Sequence, residues 1–249
     1  MRFGPSAALT ICLLLGASAD AWAYRPFDGT DADVADLHEF ELELGPVGYL
    51  KEGHEHLLVA PRYILNYGFA PNTELVFGSR GLVSLDNPTR DGVARFTHDD
   101  SELLVKNVLR RGVLQGGTGP SVALEAGVLV PGVGRGSGVG STTATIVSFR
   151  NAYASLHLNG VFQLTRDTHD RDLLTGAIVE GPNDWRVRPV MEVFWERDFG
   201  AETRYSALGG AIWRVTDDVA IDAAVRAALI DDESSFEARA GLTWTVPVF

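Results

Sequence analysis

Trp185-Arg-Val-Arg-Pro-Val-Met-Glu-Val-Phe-Trp195 alternates bulky apolar side chains with arginines and a glutamate. Successive side chains of an extended strand point to opposite faces. Trp185, Val187, Pro189, Met191, Val193 and Trp195 therefore share one face, and Arg186, Arg188, Glu192 and Glu196 the other. The stretch 219–230 repeats the pattern. Val219, Ile221, Ala223, Val225, Ala227 and Leu229 stand on one side, opposite Ala220, Asp222, Ala224, Arg226 and Ala228. The same division sets Phe40, Leu42 and Leu44 against Glu39, Glu41 and Glu43, and Leu156, Leu158 and Phe162 against His157, Asn159 and Gln163.

Working outward, period-two alternation recurs to the end of the chain, and helical periodicity is nearly absent after residue 35. The pattern predicts about twelve strands, near 36–50, 54–69, 72–84, 99–111, 120–131, 142–150, 153–166, 172–180, 185–197, 202–215, 218–230 and 236–248. No repeat of fixed period and no domain break interrupts them. Alternation also suits a soluble sandwich, so aromatic spacing has to arbitrate. Trp185 and Trp195 end one apolar face ten residues apart. At roughly 3.3 Å per residue and a tilt of about 40°, that is about 25 Å along a membrane normal, the height of an outer-membrane apolar band. Tyr67, Trp213 and Trp244 would join the inner aromatic girdle, and Tyr205 the outer one. The predicted fold is all-β, a single up-and-down antiparallel transmembrane β-barrel. In lipid only closure satisfies every backbone amide of a sheet.

Residues 1–23 read as a cleavable signal peptide: Arg2, a short apolar run from Ala7 to Gly16, and the A-x-A site Ala21-Trp22-Ala23. The barrel would occupy 24–249. Cutting after Ala23 removes Cys12, the one cysteine, leaving neither disulfides nor thiolate metal sites. The net charge of −12 argues against nucleic acid and against docking on anionic lipid. With the N-terminus in the periplasm, short turns fall inside and the longer connections, 85–98 and 131–141, fall outside. Phe249 after an amphipathic strand suits an outer-membrane barrel, although it is out of phase with Trp244, Val246 and Val248.

Asp100-Ser-Glu102-Leu-Leu-Val-Lys106, followed by Ala126-Gly-Val-Leu-Val-Pro131-Gly132, resembles the transporter barrels named for the MetA pathway of phenol degradation. Arg188-Pro-Val-Met-Glu192, Ala211-Ile-Trp213-Arg214 and Asp222-Ala-Ala-Val-Arg226 carry the same resemblance. It implies an outer-membrane barrel with a transport role, often for hydrophobic or aromatic compounds. The segment after Pro131 departs from that family's Pro-Thr-Gly, with Val133 following Gly132.

Apolar faces turned to lipid leave the opposite faces lining a lumen. Arg62, Arg80, Glu102, Lys106, Arg110, Glu125, Arg186, Arg188, Glu192, Arg204, Arg214, Asp222, Arg226, Glu237 and Arg239 would stand there beside His157 and Asn159. Such charges suit either a selective pore wall or a lattice of ion pairs that holds the barrel's shape. Twelve strands lie between a filled barrel and an open channel. Ala220, Ala224 and Ala228 leave room on one wall, so a narrow, partly plugged passage is expected.

Other motifs are weaker. A lipid hydrolase needs a serine beside a histidine. No histidine is followed two residues later by serine, although Ser148 or Ser155 could approach His157 through space. His54 and His56 share a strand face, without a third metal ligand in view. The glycines of 132–142 do not fit a phosphate loop. Asp231-Asp232-Glu233 suits a solvated tip or cation bridging between lipopolysaccharide heads.

The leading expectation is therefore passive or facilitated passage of a small solute across the outer membrane, without cofactor or covalent chemistry. A closed binding barrel acting through its outer loops comes second and a lipid-modifying enzyme third. Expected partners are outer-membrane lipid, lipopolysaccharide and the barrel-assembly machinery.

Overall fold

A computed structural model of the chain describes residues 26–86, 96–132 and 138–248. The signal-peptide reading, parts of both long loops and Phe249 lie outside the described residues. Twelve strands form in sequence order: β1 (Glu39–Glu52), β2 (Glu55–Ala70), β3 (Thr73–Ser84), β4 (Phe96–Arg110), β5 (Ser121–Leu129), β6 (Gly140–Arg150), β7 (Ser155–Leu164), β8 (Arg171–Glu180), β9 (Val187–Asp198), β10 (Thr203–Arg214), β11 (Val219–Ile230) and β12 (Glu233–Pro247). Each pairs antiparallel with its sequence neighbours, and β1 pairs with β12 from Glu39↔Pro247 to Glu52↔Ser235, closing the barrel. Closure leaves no strand edge unpaired.

The predicted faces hold. On β11, Ala220, Asp222, Ala224, Arg226 and Ala228 are buried inside, while Ile221, Val225 and Leu229 are exposed on the outer wall. Phe77, Leu103, Val105, Val128, Phe162, Met191 and Val193 extend that apolar exterior around the barrel. Tyr67 stacks on Phe40 at 4.4 Å near the end that carries the termini. Trp213 and Trp244 are exposed on the outer wall at the same end, and Trp195 is paired with Tyr205 towards the opposite end. Trp185 lies just before β9, exposed in the connection from β8. The two stacked sheets of a sandwich are not what these strands build.

Bulges interrupt the first strands. The β1–β12 register shifts between Leu44 and Val47, β2–β3 between Val59 and Arg62, and β3–β4 between Gly78 and Arg80. A bulge resets which side chains face inward. Past the irregularity in β2, Arg62 stands in phase with Asn66 on the inner wall, as far along the barrel as Gly45 and Arg80.

At the terminal end the connections are short except for 111–120, which contains a 3-10 turn at Val113–Gln115. At the far end the β3–β4 and β5–β6 connections are long and the two-residue turns are tight. Asn72 (φ 59), in the two-residue turn at the terminal end between β2 and β3, and Asp231 (φ 48), in the far-end turn between β11 and β12, take the left-handed backbone that such turns demand.

Val225 sits at the middle of its strand with half its surface on the outer wall. Val225→Arg should therefore destabilise the barrel in phospholipid vesicles by about 2–4 kcal/mol, read by denaturant titration. An unchanged midpoint would place Val225 in water and contradict the lipid-facing assignment.

Candidate functional site

Ahead of β1, residues 26–37 form no strand or helix and run inside the barrel as a strap. Its peptide groups need partners wherever water is excluded, and side chains from the wall supply them. Glu192 accepts from the N–H groups of Asp28 (3.2 and 3.1 Å) and Gly29 (2.7 Å). Asn159 accepts from the Thr30 N–H at 3.0 Å and donates to the Thr30 carbonyl at 2.9 Å. Ser148 Oγ accepts from Ala32 N–H at 2.9 Å, and Glu74 accepts from Ala35 N–H at 2.7 Å. Gln115, on the long terminal-end connection, donates to the Ala32 carbonyl at 2.8 Å and to Asp33 Oδ1 at 3.0 Å. That contact gives the 111–120 loop a purpose that its position alone does not suggest. Where the strap enters β1 it crosses β2 at Gly68, and a Cβ there would collide with the Asp36 carbonyl.

Two strap side chains anchor its tip. Phe27 packs with Ile178, Val190, Leu208, Ile212, Ala220 and Ala224. The small β11 residues make the hollow that the ring fills, and burying such a ring stabilises by about 1.5–3 kcal/mol. Asp28 points the other way, into arginines. Its Oδ1 accepts from Arg239 Nη1 at 2.9 Å and Arg62 Nη1 at 3.3 Å, and its Oδ2 accepts from Arg226 Nη1. Arg226 also pairs with Glu192 at 3.0 Å, and Arg239 with Glu237 at 3.0 Å.

Below the tip the lumen becomes acidic. Lys106 Nζ donates to Thr30 Oγ1 at 3.2 Å and lies 3.4 Å from Glu74 and 3.9 Å from Asp31. Glu41, Glu102, Glu125 and Asp33 line the same space, a cavity of about 920 Å³ between the strap and strands β1 to β8. Its volume is at the upper end of the roughly 300–1,000 Å³ usual for small-molecule sites. Asp33, outside the spanning strands, is pushed up to about 6 by burial and by the neighbouring charge of Asp31. Burial raises Asp31 as well, against the pull of His157 and Lys106.

A third cluster links the strap to the wall. Ser148 Oγ lies 2.8 Å from His157 Nδ1, His157 Nε2 lies 3.2 Å from Glu180 Oε1, and Arg188 lies 3.4 Å from Glu180 Oε2. Serine, histidine and carboxylate in that order are the groups of an activated nucleophile. Here Ser148 and His157 are completely buried, and the Ala32 N–H occupies the serine oxygen. With the strap in place the cluster secures it, and the serine oxygen is covered and already engaged.

Most sequence-predicted wall residues do converge on the lumen. Arg62, Lys106, His157, Asn159, Arg188, Glu192 and Arg226 contact the strap or its supports, and Glu102 and Glu125 line the cavity. Arg80, half-buried on β3, stands in backbone register with Arg62 and Asp99, and Asp222 is buried on the inner face of β11. Two do not belong. Arg186 is exposed before β9 begins and donates to the Arg214 and Val215 carbonyls at 3.4 and 3.3 Å. Arg110 ends β4, exposed, and donates to the Pro120 and Thr118 carbonyls of the following loop. Alternation carries an inward phase past the start of β9 to Arg186, and through the register shift between Val108 and Arg110 to Arg110, and both side chains cap backbone instead. His56 Nδ1 lies 3.0 Å from Asp86, tying the β1–β2 hairpin to the start of the β3–β4 loop. Sequence reasoning missed Phe27, Asp28, Asp31, Glu74, Gln115 and Glu180. The aspartates at 28, 31, 33 and 36 were the available signal, a run of anions ahead of a lumen containing arginines.

The closed barrel of antiparallel strands is a fold shared with solved outer-membrane proteins. An outer membrane channel from Pseudomonas putida F1 superimposes with a TM-score of 0.58 at 10% identity, covering 88% of this chain and 100% of that one. The KdgM porin superimposes with a TM-score of 0.52 at 9% identity, covering 82% and 98%. No protein-family model and no curated protein matches the chain.

Two predictions follow from the strap. Asn159→Ala removes both bonds to Thr30, each worth about 0.5–1.5 kcal/mol, so amide exchange at Thr30 should speed by about tenfold while β11 amides stay protected. Unchanged exchange would show that Asn159 does not hold the strap. The second concerns pH. A docked Asp33 keeps its proton up to about 6, against 3.8 for the free group. Its contribution to docking is therefore full below the lower value and lost as pH rises through the upper one. Exchange at Val34 and Ala35, corrected for intrinsic rates, should be slower at pH about 5 than at about 7.5, and Asp33→Asn should abolish the difference. Equal protection at both pH values would contradict it.

Proposed function

We propose that this chain is an outer-membrane barrel for passive or facilitated passage of a small solute, restricted by its own N-terminal strap. The observation that carries the reading is the cavity of about 920 Å³, bounded on one side by barrel wall and on the other by residues 27–37. The strap is joined to that wall by hydrogen bonds, ion pairs and one aromatic ring. None of these is covalent, and each can be exchanged for water or solute.

On this reading residues 1–23 direct export to the periplasm, and the assembly machinery inserts the barrel with its short turns inward. Lipopolysaccharide would then surround the far end. The resemblance of residues 99–131 and 185–246 to the MetA-pathway barrels supports a hydrophobic or aromatic solute. The superimposed structures are called a channel and a porin, which supports passage over catalysis.

Planar-bilayer recording of the full chain and of a variant lacking residues 26–35 tests the proposal. Deleting the strap should raise unitary conductance severalfold, with the wild type showing small or rare openings. A strapless barrel that never opens would overturn passage and leave the closed binding barrel.

A further inference from the structure

The strap tip is held as a ligand would be. Arg226 and Arg239 are almost wholly buried, with side-chain exposures of 9% and 4%. Both are aimed at one carboxylate, with Arg62 completing the cluster at its more open side, 26% exposed. Buried guanidinium groups cannot shed their charge, so each needs an acceptor. Among the ion pairs at this point, Arg62, Arg226 and Arg239 face Glu192, Glu237 and Asp28. The glutamates belong to the wall; Asp28 alone belongs to the strap. Among these pairs, taking it away leaves three guanidinium groups against two carboxylates, an excess of positive charge where Arg226 and Arg239 are buried.

The cluster also has donors that Asp28 does not use. Nε of Arg226 and Nε of Arg239 are buried without a hydrogen-bond acceptor, and buried polar atoms rarely go unsatisfied. The Arg226 guanidinium lies over the Phe194 ring, 5.0 Å from its centroid, a cation–π contact. Beside the anion position, the Phe27 ring fills an apolar hollow that includes Ala224, two residues before Arg226 on the same strand face. Consecutive strap residues thus occupy an apolar subsite and an anionic subsite side by side.

We infer that the Arg62–Arg226–Arg239 cluster is a binding site for the carboxylate of a small, partly apolar solute, held at rest by Asp28 as an internal stand-in. Planar guanidiniums bind carboxylates in a defined geometry, which makes such a cluster selective as well as attractive. A solute carrying that group competes with Asp28, displaces the strap tip and lies in the passage it opens. Tethering makes Asp28 a strong competitor, since a short linker corresponds to millimolar effective concentration. The apparent affinity of the intact chain is lowered accordingly. This inference rests on the passage reading but is testable apart from it.

Calorimetric titration of the full chain in detergent is the test, with benzoate, benzamide and inorganic phosphate as probes. Asp28→Ala should bind benzoate at least about tenfold more tightly than the wild type. Benzamide should bind weakly to both, and Asp28→Ala with Arg239→Gln should lose the gain. Asp28→Asn, nearly isosteric, should show a smaller gain in the same direction. Heat-modifiable gel mobility confirms that each barrel is folded. Equal benzoate affinity in Asp28→Ala and the wild type would overturn the assignment. So would benzamide binding as well as benzoate, or phosphate binding more tightly than either. Conductance of the same Asp28→Ala protein in chloride reports on passage alone. A silent channel that still binds benzoate would retain the site and dismiss the pore.

Discussion

Every peptide group of a sheet in hydrocarbon must find its partner within the sheet, because lipid offers none. That constraint makes β1 find β12, and the pairing runs from Glu39↔Pro247 to Glu52↔Ser235 with one shift at Leu44/Val47. Once the ring is closed the remaining arrangement follows. Alternating side chains have two destinations, lipid or lumen, and the cost of a charge in lipid sends Glu43, Lys106, Glu192, Asp222 and Arg226 inward, where all are nearly inaccessible.

Confinement then creates the second problem. Charges packed in a narrow interior must be matched, and this barrel matches them partly with a segment that is not part of its wall. The strap contributes Asp28 to an arginine cluster and Asp31 to Lys106, and its peptide groups take up Glu192, Asn159, Ser148 and Glu74. A plug bound in this manner is specific without being permanent. Its contacts are polar and individually modest, so release needs an exchange of partners and no rupture of the barrel.

Strands were legible because a half-lipid, half-polar wall writes its period directly into the chain. β11 is the clearest case, with an inner face of Ala220, Asp222, Ala224, Arg226 and Ala228 that the structure reproduces residue for residue. Strand ends were less legible, since nothing in the alternation says where pairing stops. Arg186 was assigned to the lumen for that reason, and Arg110 because alternation does not show the register shift after Val108; both belong to the rim. The strap had no periodic signal at all. Its conformation is imposed by side chains on β3, β6, β7, β9, β11 and β12, which meet only after the barrel closes. The room left by Ala220 and Ala224 was visible in the sequence; that Phe27 would fill it was not. Ser148 meeting His157 was foreseen as a proximity, and the strap's hold on the serine gives that proximity its meaning.

The lone cysteine lies at position 12, ahead of the strands, so single cysteines can be placed along 219–230 after Cys12 is replaced. Spin labels at each position, read in vesicles against oxygen and a water-soluble nickel chelate, measure orientation directly. The account predicts high oxygen and low nickel accessibility at 219, 221, 223, 225, 227 and 229, and the reverse or protection from both at the intervening sites. Uniform accessibility along the stretch, or the opposite phase, would contradict the lipid-facing wall on which the lumen, the strap and the passage all depend.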